Sequence, residues 1–414
     1  MRFQSLGQQA IWVGMVLLCG WAADLSAQTM QERFERIDRN NDGKVTREES
    51  GNAPWFAKLL ERFDKNKDGV LESAEVASRV PGNSAATRKD ADFPAPPNPQ
   101  HTAFMDIPYD EAGAADAREL SLDLYVPKNG QATDRPVMIM IHGGGWRGGD
   151  KASPGIVGAK MAHFVGRGYI YASINYRLAP ERPGTQGIQH PVQAQDCANA
   201  IGWIHNHIAE HGGDPNQIHL MGHSAGAHLA GLIGTNEGFL EKAGVDLAVI
   251  KTNVLLDPAA LDVPRYIQIN RGRAMTGLYD HVFGATPEAR IDASPRQHVE
   301  AGKPLPPTII FYAGERMNLN LLAPDFAAAM VAVGIPSQAI DTVILDHGQV
   351  NSRVGLVGEP MTELIMQLHA GEDARNFPDS IGPKLSPEEA KHQLEAAKNA
   401  ARKKREQRRR MSIK

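Results

Sequence analysis

Between residues 104 and 370 the chain alternates two kinds of pattern. Short, almost unbroken apolar runs predict strands at Phe104–Ile107, Leu120–Val126, Val137–Ile141, Tyr169–Asn175, Ile218–Met221, Val249–Leu256, Thr308–Tyr312 and Ala339–Leu345. Stretches with helical spacing intervene at Ile156–Gly166, Pro191–Glu210, Ala225–Gly234, Pro324–Val333 and Pro360–His369. Strands that read as continuous apolar runs need cover on both faces, and helices alternating with them supply it. The expected fold class is α/β, a mostly parallel sheet covered by helices, occupying residues 102–372.

Both flanks break this pattern. Residues 81–101 are rich in Pro, Ala, Asn and Asp, with Pro94-Ala95-Pro96-Pro97-Asn98-Pro99 at the centre; such a composition buries no core and acts as a semi-extended spacer. Ahead of it, residues 28–80 hold two copies of one loop, Asp38 to Glu49 and Asp64 to Glu75. Side-chain oxygens stand at positions 1, 3, 5, 9 and 12: Asp38, Asn40, Asp42, Thr46 and Glu49 in the first loop, Asp64, Asn66, Asp68, Glu72 and Glu75 in the second. Lys44 and Val70 at position 7 need offer only a carbonyl, Gly43 and Gly69 take the sharp turn, and Val45 and Leu71 suit the short pairing between loops. About 14 residues separate Glu49 from Asp64, room for helices of about two turns each. The expectation is a small all-α EF-hand pair holding Ca2+ as a structural ion rather than as a sensor.

The chain ends add two further expectations. Residues 1–27 combine Arg2, an apolar run from Ala10 to Ala23 and Leu25-Ser26-Ala27, the pattern of a signal peptide; the run is too short for a hydrocarbon layer of about 30 Å. The protein is therefore expected to be exported, periplasmic or extracellular. Its mature form would keep only Cys197, so no internal disulfide is available and stability must come from the core. Residues 373–414 form a basic tail, with a helix start at Ser386-Pro387-Glu388-Glu389 and a finish in Arg402-Lys403-Lys404-Arg405 and Arg408-Arg409-Arg410. Such a run is either a solvated tail or a device for docking to an anionic envelope or polysaccharide surface. With 414 residues, 42% of them hydrophobic and 22% charged, the chain can build a sizeable core, and a net charge of −4 argues against a nucleic-acid partner.

Candidate chemistry centres on Gly222-His223-Ser224-Ala225-Gly226, which lies between an apolar strand and a small-residue helix. That context is the one a nucleophile elbow requires: glycines two residues either side of the serine avoid clashes in a strained turn, and the Ala225 N–H at the helix start faces a developing oxyanion. After the strand ending at Ile141 come His142-Gly143-Gly144-Gly145-Trp146, whose Gly143 and Gly144 offer unshielded N–H groups for the same oxyanion.

Together with Asn175-Tyr176-Arg177-Leu178-Ala179-Pro180, the segment Pro191–Trp203 with Asp196, Phe283-Gly284 and Ala293-Ser294-Pro295, these motifs resemble the α/β-hydrolase esterases of the hormone-sensitive-lipase and BD-FAE-like (acetyl/feruloyl esterase) group over residues 104–370. The resemblance implies the α/β-hydrolase fold and an esterase with a Ser-acid-His triad. Two positions depart from the group: His223 stands where the lipase-like branch usually has Asp, and no Asp follows the strand ending at Tyr312. The triad histidine comes last in chain order, which points to His347 in the loop after the final strand rather than to His298 or His369. For the acid, the usual loop offers only Glu315, in Ala313-Gly314-Glu315-Arg316-Met317-Asn318. Asp257, Asp262 and Asp325 are its rivals.

The reading is thus an EF-hand pair tethered to a serine carboxylesterase with Ser224, His347 and Glu315 as triad, which needs no cofactor for catalysis and acts on a small-molecule or polysaccharide-linked ester. An arylformamidase or other amide hydrolase would use the same machinery, and a non-catalytic calcium-dependent binding protein could be built on the same scaffold.

Overall fold

The computed structural model describes residues 44–46, 60, 68–72, 93–110, 119–128, 133–180, 187–270, 275–314 and 316–382. The expected signal peptide, the tail beyond residue 382 and most of the two acidic loops, including Asp38, Asn40, Asp42, Glu49, Asp64, Asn66 and Glu75, lie outside those residues. Of the loops, strand β1 (Lys44–Val45) pairs antiparallel with β2 (Leu71–Glu72), with Val45 opposite Leu71. Both residues occupy position 8 of their loops, so the pairing is the one the repeat predicts. Gly69 has φ +81, and the Val70 N–H donates to Asp68 Oδ1 at 2.8 Å, which curls the second loop inward at its sixth position.

The large domain is one sheet of eight strands: β3 (His101–Pro108), β4 (Ser121–Pro127), β5 (Arg135–Ile141), β6 (Ile170–Ile174), β7 (Gly213–His223), β8 (Ile250–Leu256), β9 (Thr308–Tyr312) and β10 (Ser337–Asp341). Their spatial order is β10-β9-β8-β7-β5-β6-β4-β3. All pairs from β10 to β6 are parallel, while β4 runs antiparallel to both β6 and β3. The helices that matter here are α1 (Gly158–Gly166), α2 (Val192–His207), α3 (Ala225–Ile233), α4 (Val263–Ile269), α5 (Met275–Phe283), α6 (Leu319–Ala332), α7 (His347–Ser352) and α8 (Pro360–His369).

The central strands are apolar throughout because each face meets a different helix layer. On β5, Val137, Ile139 and Ile141 join the core with α2, α3 and α6, whereas Met138 and Met140 join the core with α1, α7 and α8. Cys197 is buried on α2 as a free thiol.

Several boundaries differ from the sequence reading, and four bear on the fold. The last strand ends at Asp341 instead of Leu345: Thr342 Oγ1 donates to Tyr312 O at 3.0 Å, Val343 turns at φ +53, and its N–H is taken by Asp341 Oδ1 at 2.8 Å. The apolar run Val343-Ile344-Leu345 therefore carries the chain back to the sheet's end rather than along it. Helix α6 begins at Leu319, ahead of Pro324, which lies inside it. The folded domain also continues past residue 372. Phe377 is buried in the core, and Ser380 bridges Asp341, whose N–H donates to Asp379 O at 2.9 Å. At the other end, part of the proline-rich stretch is held: Pro94 O accepts the Val357 N–H at 3.0 Å, and Arg353 lies over the Phe93 ring at 4.6 Å.

Candidate active site

Strand β7 ends at His223 and helix α3 begins at Ala225, leaving Ser224 alone in the turn with φ 56° and ψ −114°. A non-glycine residue there is strained and persists only where its surroundings fix it. The Ser224 N–H donates to Leu256 O at 2.9 Å, and Ser224 O accepts the His228 N–H at 3.1 Å. Both flanking glycines are sterically required. A Cβ on Gly222 would lie 2.2 Å from Gly226 O, and one on Gly226 would lie 2.2 Å from Ile141 O.

The glycine loop passes directly against this turn, since a Cβ on Gly143 would sit 3.1 Å from Ser224 Cβ. Gly144 has φ +122, and a Cβ there would strike Gly148 O at 2.0 Å. Aromatic groups anchor the loop from both sides. His142 stacks on Tyr176 with ring centres 4.4 Å apart, and the Tyr176 hydroxyl donates to His142 O at 3.1 Å. The Trp146 indole N–H donates to His228 Nδ1 at 3.2 Å, and His228 Nε2–H donates to Ala293 O at 2.7 Å. Burial pulls the pKa of His228 down to about 3, so the ring is neutral and this donor–acceptor chain between the glycine loop and α3 is fixed. Asp196 accepts the Arg177 N–H at 3.0 Å and its guanidinium at 2.5 and 2.9 Å, which holds the segment after β6. Ala179 of that segment donates to Trp146 O at 2.8 Å.

His347 opens α7, and its Nδ1 lies 2.5 Å from Asp257 Oδ2. Asp257 follows β8 directly and is fully buried; its second oxygen, Oδ1, accepts the Ala313 N–H at 2.9 Å. Glu315 lies outside the described residues, and the carboxylate that the structure brings to His347 is Asp257, from one strand earlier. The other rivals are engaged elsewhere. Asp262 caps α4, taking the Arg265 N–H at 3.0 Å and Gln297 Nε2 at 3.0 Å, and Asp325 pairs with Arg265 at 2.7 Å and Arg296 at 3.2 Å. Of the other histidines, His298 donates to Asp292 O at 2.8 Å, and His369 stacks on His219 at 4.0 Å.

Two residues that the sequence marked only as departures or passed over support the histidine. His223 lies 4.5 Å from the His347 ring, and its Nε2–H donates to His347 O at 3.0 Å. Burial, then the proximity of His347, pushes the pKa of His223 well down, so it remains a neutral donor. At the far end of α7, the buried Lys160 donates to Asn351 O at 2.5 Å and Gly155 O at 2.8 Å, its pKa pulled down to about 7 by burial. When protonated, Lys160 complements the dipole at the end of this short helix. Arg316 completes the cluster: Nη1 is 3.0 Å from Asp257 Oδ2, and Nη2 is 3.4 Å from His347 Nε2. Ser224 Oγ makes no hydrogen bond to Nε2, which faces Arg316 instead. Such contacts are commonly loose before substrate binds.

Residues 122–315 match the BD-FAE family, and residues 30–49 match an EF-hand family. A probable isoprenylcysteine alpha-carbonyl methylesterase of Arabidopsis thaliana is 40% identical over 109 residues, 26% of this chain and 21% of that protein. A second Arabidopsis protein, named isoprenylcysteine alpha-carbonyl methylesterase, is 27% identical over 288 residues, 63% of this chain and 62% of its own. The chain thus spans less than two thirds of either relative. A carbohydrate esterase from gut microbiota superposes with a TM-score of 0.54 at 18% identity, covering 67% of this chain and 99% of that one, a likeness that shows the fold. The large domain has the α/β-hydrolase fold, and within it residues 122–315 are the part similar to the BD-FAE family.

Proposed function

Starting from an α/β-hydrolase domain with a region similar to the BD-FAE family, we propose that this protein is an exported serine carboxylesterase in which Ser224, His347 and Asp257 form the triad. The observation that carries the reading is the 2.5 Å hydrogen bond from His347 Nδ1 to the buried Asp257, beside the strained turn of Ser224. With its proton on Nδ1, the imidazole presents the Nε2 lone pair as a base. As Ser224 Oγ bonds to the ester carbonyl carbon, its proton passes to Nε2, and the N–H groups of Ala225, Gly143 and Gly144 receive the oxyanion. The bond from carbon to the leaving oxygen then breaks as Nε2 returns the proton to it. Water next gives a proton to Nε2 and attacks the acyl carbon; the acid leaves and the Ser224 hydroxyl is restored.

The relatives named methylesterase support an ester as the substrate, which we take to be either a small molecule or one linked to a polysaccharide. The N-terminal loops would hold Ca2+ through Asp38, Asn40, Asp42, Lys44 O, Thr46 and Glu49, and through Asp64, Asn66, Asp68, Val70 O, Glu72 and Glu75. The position-8 pairing and the Asp68 contact support that use. Calcium there would hold the small domain together and take no part in ester cleavage.

The test is covalent labelling by a fluorophosphonate probe, with the modified residue located by peptide mass mapping, together with turnover of short-chain aryl esters, acetylated or feruloylated sugars and N-formyl aromatic amines. Labelling at Ser224 with ester turnover is expected. Absence of labelling in folded protein, or turnover confined to the formamides, would overturn the esterase reading.

A further inference from the structure

Arg316 contributes a permanent cation to the site, and the proposed acyl-transfer chemistry does not use it. Its side chain is about one quarter exposed, so it touches Asp257 on one side and solvent on the other. Nη1, although 3.0 Å from Asp257 Oδ2, has no hydrogen-bond partner among the described residues: the approach is an ion contact out of line with any N–H. Nη2 stands 3.4 Å from His347 Nε2. A buried guanidinium donor left without a hydrogen bond costs free energy unless a ligand fills it.

The position of this cation fixes which part of a substrate it meets. Nε2 must hand a proton to the leaving oxygen, so a group beside Nε2 lies along the path of the alcohol portion and not of the acyl portion. The planar guanidinium matches a carboxylate in a way that a single ammonium does not. A carboxylate on the alcohol portion would draw Arg316 away from Nε2 and leave that nitrogen to Ser224. Binding such a substrate would therefore free the base.

Resting on the esterase reading above, we propose that Arg316 is a specificity-determining residue that selects esters whose alcohol portion carries a carboxylate within a few bonds of the scissile oxygen.

The probes are 3-acetoxybenzoate and 3-acetoxybenzamide, which share acyl group and ring and differ in the charge near the leaving oxygen. Full-length protein, Arg316→Met and Arg316→Lys are compared by kcat and KM for both, with fluorophosphonate labelling as a measure of intact triad. The wild type is expected to favour the benzoate, and Arg316→Met to lower the benzoate-to-benzamide ratio of kcat/KM by on the order of 10- to 100-fold, the worth of a charged hydrogen-bonded pair. Arg316→Lys should retain part of the preference. Because loss of Arg316 also disturbs Asp257, the ratio is the readout: damage common to both esters cancels. A ratio that moves less than about twofold in Arg316→Met, with Ser224 still labelled, would overturn the role of Arg316 and leave the esterase reading standing. Wild-type protein that takes no label and cleaves neither ester would overturn both.

Discussion

Replacing Asp257 by Asn tests the triad with almost no change of shape. In the wild type, Oδ1 accepts the Ala313 N–H and Oδ2 accepts His347 Nδ1–H. An asparagine must keep its carbonyl oxygen toward the Ala313 N–H, because two donors cannot face each other, and this turns its amide NH2 toward His347. The imidazole then accepts at Nδ1 and carries its proton on Nε2, the wrong tautomer for removing the Ser224 proton. The amide also opposes the Arg316 Nη1 only 3.0 Å away. The same change in a well-studied serine protease lowers kcat by roughly 10⁴-fold, about 5.4 kcal/mol of transition-state stabilisation at 1.36 kcal/mol per decade. A loss of that order is expected here, read from kcat/KM on a short-chain aryl ester and from the rate of fluorophosphonate labelling. Asp262→Asn and Asp325→Asn, which touch a helix cap and surface ion pairs, should stay within a few fold. If Asp257→Asn kept more than about a tenth of the wild-type kcat/KM and Glu315→Gln proved crippled, the acid would be Glu315 and the reasoning above would fail.

Ser224→Ala should remove roughly 10⁶ in kcat, as in a protease stripped of its nucleophile, while circular dichroism stays native; residual activity above a few per cent would remove Ser224 from the chemistry. Trp146→Phe keeps the ring packing but orphans the buried His228 Nδ1, at a cost of about 1–3 kcal/mol, and should lower both the thermal midpoint and kcat; unchanged kcat would show that the glycine loop does not depend on this tie. Calorimetric titration of the full-length protein should find two calcium ions per chain, falling to one in Asp64→Ala; no uptake at all would remove the EF-hand reading. His163 and His219 are both buried with pKa values pulled down to about 4 by burial, and His369 is pushed well below its ordinary value by burial and then by His219. These rings stay neutral in the fold but take protons when unfolded below about pH 6.5, so their contribution is complete above that pH and is lost as pH falls toward 4. Unfolding free energies from urea titration should drop across that window by up to about 1.4 kcal/mol per pH unit for each ring, and His219→Gln should flatten the drop; an identical profile would refute the assignment.

The strand pattern, the elbow and the glycine loop were legible because each depends on local sequence: continuous apolar runs for a sheet covered on both faces, and glycines such as Gly144, Gly222 and Gly226, where a Cβ would meet backbone within 2.2 Å. His347 was legible from chain order. Which carboxylate stands beside it was not, because Glu315 and Asp257 follow neighbouring strands of one parallel sheet, β9 and β8, and sequence alone does not show that Asp257 meets His347 Nδ1. Helices α4 and α5 escaped notice because they are short, 7 and 9 residues, and what holds them comes from distant elements: Tyr279 and Phe283 of α5 pack on Trp146, and Tyr266 of α4 packs on Tyr279. The end of β10 was misread for a related reason. Val343-Ile344-Leu345 has strand composition, but the contacts that turn it come from Tyr312 and Asp341. Nothing local to Lys160 signals that it holds the last turn of the histidine helix, since its partner Asn351 lies far along the chain.

The short segment beside β10 has a consequence for how copies of this protein meet one another. An outermost strand with free N–H and C=O groups is a template on which another chain can add a strand. Here Asp379, Ser380 and Ile381 occupy that template on β10, with Ile381 N–H donating to Asp341 O at 2.9 Å and Gln338 Nε2 to Asp379 Oδ1 at 2.7 Å. At the opposite margin, β3 is interrupted by a register shift between Phe104 and Ile107, where Asp106 turns its carboxylate back to Lys151 at 2.6 Å. Neither margin presents a long flat ladder to a neighbour. Cutting the chain at residue 372 would expose the first of them together with the core position that Phe377 fills, so the shortened protein should self-associate more readily than the uncut chain as its concentration rises.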